Sequence, residues 1–172
     1  MCVRCRQLVE STCVVCPADV QRTLLVSPSN DPLVGRSIGG RFTLLGLLGE
    51  GGMGVDYRAL QHSMEREVAI KLLHRSYSDN PEAIELFMRE ARGASRLSHP
   101  NIITLFDFGL SGDGELYLVM ELLRGRALAS ILNDEPSLTP DRAVNIGVQV
   151  CGALEAAHHE GVIHREIGRA HV

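Results

Sequence analysis

Aromatic residues, long apolar runs and excess positive charge are all scarce in this sequence. It has no Trp, three Tyr and four Phe in 172 residues, which is thin material for the core of a complete enzyme. No apolar run approaches the roughly 20 residues that span a bilayer, and the start lacks the apolar core of a signal peptide. The net charge of −4 argues against a general nucleic-acid binder. These absences predict a cytoplasmic chain with no membrane segment of its own and no nucleic-acid partner, and they leave open an anchor beyond residue 172.

The overall composition is that of a globular protein. Hydrophobic residues make up 45% of the chain and charged residues 22%, which excludes disorder throughout. The length suits one domain, or one domain with a small appendage.

Four of the five cysteines lie within the first sixteen residues, in two C-x-x-C pairs. Each pair can place two thiolates on one tight turn, and two such turns complete a tetrahedral Zn²⁺ site. We therefore predict a structural zinc site in residues 1–20, formed by Cys2, Cys5, Cys13 and Cys16. One alternative is a set of redox-active or disulfide-bonded cysteines, which is less expected in a cytosolic chain. The other is that the pattern arose by chance at an uncertain start codon. The fifth, Cys151, is predicted to be a core residue.

Residues 21–40 are rich in Ser, Pro, Asn and Asp and are predicted to be a linker. Apolar runs after it predict strands at 41–48, 55–60, 67–73, 102–108 and 116–120. A helix is expected from Pro81, with Asn80 as its N-cap. A second is expected over 140–159, capped by Thr139 and ended near Gly161, and its apolar residues occupy several faces, so we expect it to be buried.

A glycine-rich turn, Gly49-Glu50-Gly51-Gly52-Met53-Gly54, matches G-x-G-x-x-G. Such glycines let backbone N–H groups approach phosphate oxygens. A dinucleotide site would need a helix after the turn, whereas a strand is predicted here, and no Gly-Lys-Ser/Thr follows for a Walker loop. The pattern therefore favours a hairpin over phosphates, and a merely flexible turn is the alternative.

A lysine follows on the next apolar strand, in Val68-Ala69-Ile70-Lys71. A lysine in such a strand is costly unless it meets an anion. Glu90 lies beside the apolar face of the predicted helix and could hold Lys71, which would present its ammonium to a nucleotide. Two separate solvated charges are the alternative.

With these motifs, residues 41–165 resemble the small lobe and the start of the large lobe of a protein kinase. The glycine-rich turn and His99-Pro100-Asn101-Ile102 are most similar to bacterial Ser/Thr kinases of eukaryotic type. The resemblance implies an α+β fold: a kinase-like small lobe of an antiparallel sheet plus one helix, with the first helices of a truncated large lobe, in a domain spanning 41–172. The cysteine segment before it resembles the short zinc ribbons that precede some bacterial kinases.

The resemblance also implies residue roles. Lys71 would contact the α and β phosphates of ATP, Glu90 would hold it, and Glu166 stands at the position of the catalytic Asp. The nucleotide-binding residues would be Leu48, Gly49, Glu50, Gly51, Gly52, Met53, Gly54, Ala69, Lys71, Met120, Glu121 and Leu123. The full enzyme would use ATP and Mg²⁺ to phosphorylate Ser or Thr of protein substrates, with Mg²⁺ ligands beyond the end of this chain.

Asp56 departs from the family pattern, which has a small apolar residue packed on the adenine ring. A carboxylate there faces desolvation beside the base and lies near phosphates of its own sign. We expect weakened ATP affinity, which Asp56→Val should restore. A single-base error is the alternative explanation.

The second departure follows His164-Arg165, where the family has Asp and this chain has Glu166. The longer side chain moves the carboxylate by about 1 Å, and misplacement on that scale can cost ~10²-fold in rate. No metal-binding Asn and no Asp-Phe-Gly segment follow it, so the fragment is expected to be inactive alone. The last residues can be encoded by DNA that resembles a sequencing adapter, and we interpret 166–172 as an assembly artefact. A degenerate, truncated kinase gene is the alternative.

Two other functions compete with the kinase interpretation. A pseudokinase, acting as a nucleotide-binding regulatory or scaffolding module, is favoured if Asp56 and Glu166 are genuine. A zinc-dependent interaction protein is favoured if partner binding needs only the cysteine segment.

Overall fold

The computed structural model describes residues 31–135 and 137–164. Within them, six strands form one sheet: β1 (Ser37–Ile38), β2 (Phe42–Gly51), β3 (Gly54–Gln61), β4 (Arg66–Leu73), β5 (Leu105–Leu110) and β6 (Leu116–Met120). The α-helices are α1 (Arg75–Ser78), α2 (Pro81–Ala94), α3 (Leu128–Asp134) and α4 (Pro140–His159). The expected antiparallel sheet with few helices is confirmed.

The sheet has the order β1-β2-β3-β4-β6-β5, and all its neighbours are antiparallel. Short turns link β2 to β3 and β5 to β6, and a 3-10 turn at His62–Met64 links β3 to β4. The predicted strands are confirmed within a few residues at their ends, except that β5 begins at Leu105 rather than Ile102.

One face of the sheet carries the core. Alternate residues of each strand point to it, as the two-residue period of a strand requires. The row Tyr57, Ile70 and Val119 crosses three strands and is at most 2% exposed. The rest of the core cluster consists of Ile38, Phe42, Leu44, Ala59, Val68, Leu72 and Tyr117.

The segment before β2 is part of this lobe. β1 pairs with β2, and Ile38 is 1% exposed. The Tyr57 hydroxyl donates to Asp31 Oδ2 at 2.8 Å, and burial together with this hydrogen bond raises the pKa of Tyr57. Arg36 donates to the carboxylates of Glu115 and Asp113, and these hydrogen bonds raise its pKa. Residues 31–38 therefore fold onto the sheet, although they fall within the predicted linker at 21–40.

The two long helices begin where the sequence predicts. The Asn80 side chain accepts a hydrogen bond from the Glu82 N–H at the start of α2, and Thr139 Oγ1 accepts one from the Arg142 N–H at the start of α4. Beyond α4, Gly161 adopts φ +74° and the Val162 N–H reaches back to the Ala157 carbonyl, as in a glycine-ended helix.

The packing of α4 differs from the expectation. Among its described residues only Ala157 is buried, and Cys151, predicted to be a core residue, is exposed. The reason is that few elements of the described chain pack against this helix. None of the helices in the described ranges is long and apolar enough to cross a membrane.

Candidate nucleotide site

The glycine-rich turn joins β2 to β3 as a hairpin. Glu50 is opposite Val55 and Gly51 is opposite Gly54. The strand after the turn confirms the predicted hairpin and excludes the strand-to-helix turn of a dinucleotide site.

The glycines of this hairpin have different surroundings. A Cβ on Gly54 would lie 2.1 Å from the Leu72 carbonyl oxygen, so close approach of β3 to β4 requires glycine there. A Cβ on Gly49 or Gly52 would meet no atom within 4 Å. The open space at Gly49 and Gly52 leaves room for a ligand beside the backbone, whereas Gly54 has a packing role.

His74 follows β4 directly and contacts the hairpin through its backbone and its side chain. Its backbone N–H donates to the Met53 carbonyl at 3.1 Å, and its ring Nε2 lies 3.3 Å from the Gly51 carbonyl oxygen. Its role did not emerge from the sequence, and only its position just after the lysine strand could have indicated it.

A row of opposed residues crosses the sheet beside the hairpin. Gly49 is opposite Asp56, Asp56 is opposite Lys71, and Lys71 is opposite Leu118. Opposed residues share one face of a sheet, so this row lies on the face away from the core. Ala69 and Met120, both among the predicted nucleotide-binding residues, are likewise opposed on this face two residues along.

Lys71 forms an ion pair with Asp56, with 2.8 Å between Nζ and Oδ2. The expected Lys71–Glu90 pair is not formed in this structure. Glu90 is exposed on α2 and pairs with no cation in the described part of the chain. Asp56 meets the lysine instead because the strand register places it directly opposite, whereas Glu90 lies on a separate element.

The chain after β6 carries Glu121 and Leu123, two of the predicted nucleotide-binding residues. The Glu121 N–H donates to the Thr104 carbonyl at 3.0 Å, and the Glu121 side chain accepts from the Thr104 N–H. Leu123 is 66% exposed, and its backbone makes no hydrogen bond to any described residue. The backbone of Leu123 can therefore serve a ligand, while the Glu121 N–H is already used.

An Asp-Phe-Gly motif lies on β5, and its aspartate is on the opposite face of the sheet from Asp56 and Lys71. Asp107-Phe108-Gly109 spells Asp-Phe-Gly, yet it precedes His164-Arg165 in sequence. Asp107 is opposite Val119, on the core face, and forms a 2.7 Å ion pair with Arg41. Asp107 therefore has a structural role in the sheet. It does not take the place of the Asp-Phe-Gly segment that the family has after the catalytic loop.

Two groups of predicted site residues fall outside the described residues. These are Glu166 and the four cysteines at positions 2, 5, 13 and 16. Among the described residues, no three His, Cys, Asp or Glu side chains form a group that could hold a metal ion.

Comparison with known proteins agrees with this geometry. The sequence model of the protein kinase domain matches residues 42–170. The chain belongs to the protein kinase family. This kinase chain is 42% identical over 141 residues to the serine/threonine-protein kinase pkn3 of Myxococcus xanthus, covering 82% of this chain and 26% of pkn3.

Other relatives and a solved structure extend the match. The kinase chain is 40% identical over 135 residues to the serine/threonine-protein kinase PrkC of Bacillus subtilis, covering 78% of this chain and 21% of PrkC. The crystal structure of the Mycobacterium tuberculosis PknI kinase domain superimposes with a TM-score of 0.69 at 30% identity, covering 80% of this chain and 56% of that chain. The chain thus spans about a quarter of the length of these curated relatives.

Proposed function

We propose that the whole protein is an ATP-dependent protein serine/threonine kinase and that this chain supplies its nucleotide-binding lobe. The observation that carries the proposal is the row Gly49, Asp56, Lys71. It places the single ammonium of this face beside the open glycine-rich hairpin. Relatives named serine/threonine-protein kinases share this stretch of sequence.

The bound nucleotide would lie along the face opposite the core. Its phosphates would approach Lys71 and the backbone of Gly49–Gly54, where Gly49 and Gly52 leave space. Its base would lie against Ala69 and Met120, with the carbonyl of Glu121 and the backbone of Leu123 as hydrogen-bond partners. Positioning and electrostatic stabilisation of the phosphates are the main means by which such a site promotes transfer.

The transfer step itself needs groups that this chain does not supply in the family's form. Bound Mg²⁺ would supply positive charge to the phosphates. The carboxylate that accepts the substrate proton would be Glu166, which is longer than the family's aspartate. We therefore assign nucleotide binding to the described lobe and phosphoryl transfer to the complete protein.

The test of nucleotide binding is a titration of this chain with ATP by calorimetry. Lys71→Met removes the ammonium and should weaken ATP binding about tenfold or more, because charge-assisted hydrogen bonds to phosphate are lost. Arg75→Met is the matched control, since Arg75 is an exposed cation just after β4. Equal affinity of the Lys71→Met variant and the unmodified chain would contradict this assignment.

A pseudokinase is the second candidate, and the Asp56–Lys71 ion pair favours it because the pair occupies the nucleotide lysine. Transfer of radioactive phosphate from ATP to a Ser/Thr peptide by the complete protein distinguishes the two. Transfer supports the kinase. ATP binding without transfer supports the pseudokinase.

We also propose that Cys2, Cys5, Cys13 and Cys16 hold one structural Zn²⁺. The two C-x-x-C pairs support this, since four thiolates at such spacing suit tetrahedral zinc. Elemental analysis should find about one zinc per chain, and the Cys13→Ser/Cys16→Ser variant should lose it. A zinc-free purified chain in which all five cysteines react as free thiols would contradict the proposal.

A further inference from the structure

The ion pair between Asp56 and Lys71 is set by the sheet itself. The two residues are directly opposed on β3 and β4, and their side-chain oxygen and nitrogen atoms are 2.8 Å apart. The Asp56 and Lys71 side chains are 34% and 27% exposed. The pair is therefore formed without any movement of a helix, and a ligand can reach it from solvent.

Lys71 is the only lysine in the sequence. Among the described residues on the face that carries Asp56 and Lys71, the neighbouring cation is Arg58, and it already pairs with Glu67 at 3.5 Å. An anion that reaches the glycine-rich hairpin therefore has Lys71 as its partner, and it meets the Asp56 carboxylate at the same place.

An ammonium cannot serve both anions without cost. Phosphate oxygens that take Lys71 either displace the Asp56 carboxylate or lie beside it, and like charges at such distances repel. The cost applies to ligands that carry phosphate. A nucleoside without phosphate would occupy the base position and leave the ion pair intact.

We propose that Asp56 acts as an internal competitor for Lys71 and selectively lowers the affinity of this site for phosphate-bearing nucleotides. This inference rests on the proposed nucleotide site. It differs from an effect on the base alone, because desolvation of a carboxylate beside adenine would weaken ATP and adenosine equally. Asp56 is in this role a specificity-determining residue.

The experiment compares ATP with adenosine on the whole chain. Asp56→Asn keeps the size of the side chain and removes its charge. It should tighten ATP binding about fivefold or more, which corresponds to about 1 kcal/mol, and change adenosine binding less than twofold. Glu67→Gln is the matched control, because it removes one negative charge and one ion pair from the same two strands, away from the hairpin. It should change neither affinity more than twofold.

Asp56→Val is a second variant, which tests the proposal independently if Asp56→Asn fails to fold. It removes the same charge and adds an apolar surface for the base, so it should tighten both ligands, ATP about fivefold more than adenosine. Circular dichroism verifies that each variant is folded.

A labelling experiment tests the ion pair without any nucleotide. Because Lys71 is the only lysine, an amine-reactive ester can modify only Lys71 and the amino terminus, and mass spectrometry separates the two. Lys71 should be modified several-fold faster in the Asp56→Asn variant than in the unmodified chain or the Glu67→Gln variant, because the amine no longer has to leave an ion pair.

The outcomes separate this inference from the proposed function. Equal ATP affinity of the Asp56→Asn variant and the unmodified chain would overturn the inference and leave nucleotide binding intact. An equal gain for ATP and adenosine would also overturn it, in favour of an effect on the base. Absence of ATP binding in every variant would overturn the proposed site, and the inference with it.

Discussion

The sheet and α4 contain the same kinds of apolar residue in opposite surroundings. Phe42, Leu44 and Ile70 on the strands are fully buried, whereas Val144 and Val148 on α4 are 65% and 66% exposed. The buried side chains of the strands meet one another in a single cluster on one face of the sheet, which includes Ile38 of β1. Within the described part of the chain, α4 has no such partner over most of its length. An apolar residue is therefore buried only where its element finds a second layer.

Substitution of single apolar residues should show the difference between the sheet and α4 most clearly. Ile70→Ala should lower the free energy of unfolding by about 2–5 kcal/mol, because Ile70 is completely buried and its loss leaves a cavity. Val148→Ala on α4 should change it by less than about 0.5 kcal/mol. Urea denaturation followed by circular dichroism measures both. Similar losses for the two variants would mean that α4 is covered in solution.

A smaller effect is expected where two strands approach closely. Gly54→Ala places a Cβ 2.1 Å from the Leu72 carbonyl oxygen, so β3 and β4 must separate, at a cost of about 1–3 kcal/mol. Gly52→Ala meets no atom within 4 Å and should cost less than about 0.5 kcal/mol. The same denaturation curves give both values. A larger loss for Gly52→Ala would show that the turn, rather than strand packing, demands glycine.

The smallest effect concerns Tyr57, which fastens the chain before β1 to the sheet through Asp31. Tyr57→Phe should lower the free energy of unfolding by about 1 kcal/mol near neutral pH, the usual value of one hydrogen bond.

The same residue gives the sheet a pH dependence in alkali. Folding raises the pKa of Tyr57 through burial and the Asp31 hydrogen bond, so the unfolded chain loses this proton first. The contribution is fully present below about pH 10, the pKa of an unfolded tyrosine, and is lost as pH rises further. Melting temperatures between pH 8 and 11 should fall less steeply for Tyr57→Phe than for the unmodified chain. Tyr77→Phe, on exposed α1, is the control and should keep the steep fall.

Local sequence signals predicted much of the fold. Asn80 and Thr139 placed the starts of α2 and α4, and apolar runs placed β2, β3, β4 and β6. Signals were weaker for short elements. β1 lies within a Ser- and Pro-rich stretch, and α3 has no side-chain cap at Ala127. The prediction that Cys151 is a core residue was wrong, because an apolar pattern on a helix does not indicate whether another element packs against it.

The site was predicted in part. The glycine-rich hairpin was identified from spacing, and Lys71 from its apolar strand. The ion-pair partner of Lys71 in this structure was not predicted from the sequence. Asp56 and Lys71 are 15 positions apart, and only the register of β3 on β4 sets them opposite one another. The roles of the remaining predicted residues stay predictions.

The sequence by itself determined the hairpin, the helix starts and the family, because these depend on residue types at short, fixed spacings. The tertiary structure decided which charge meets Lys71, that Gly54 is needed for packing, and that the segment from Asp31 belongs to the sheet. Those features depend on contacts between residues far apart in the chain. Such contacts are fixed by strand register and close packing, and neither leaves a local pattern in the sequence.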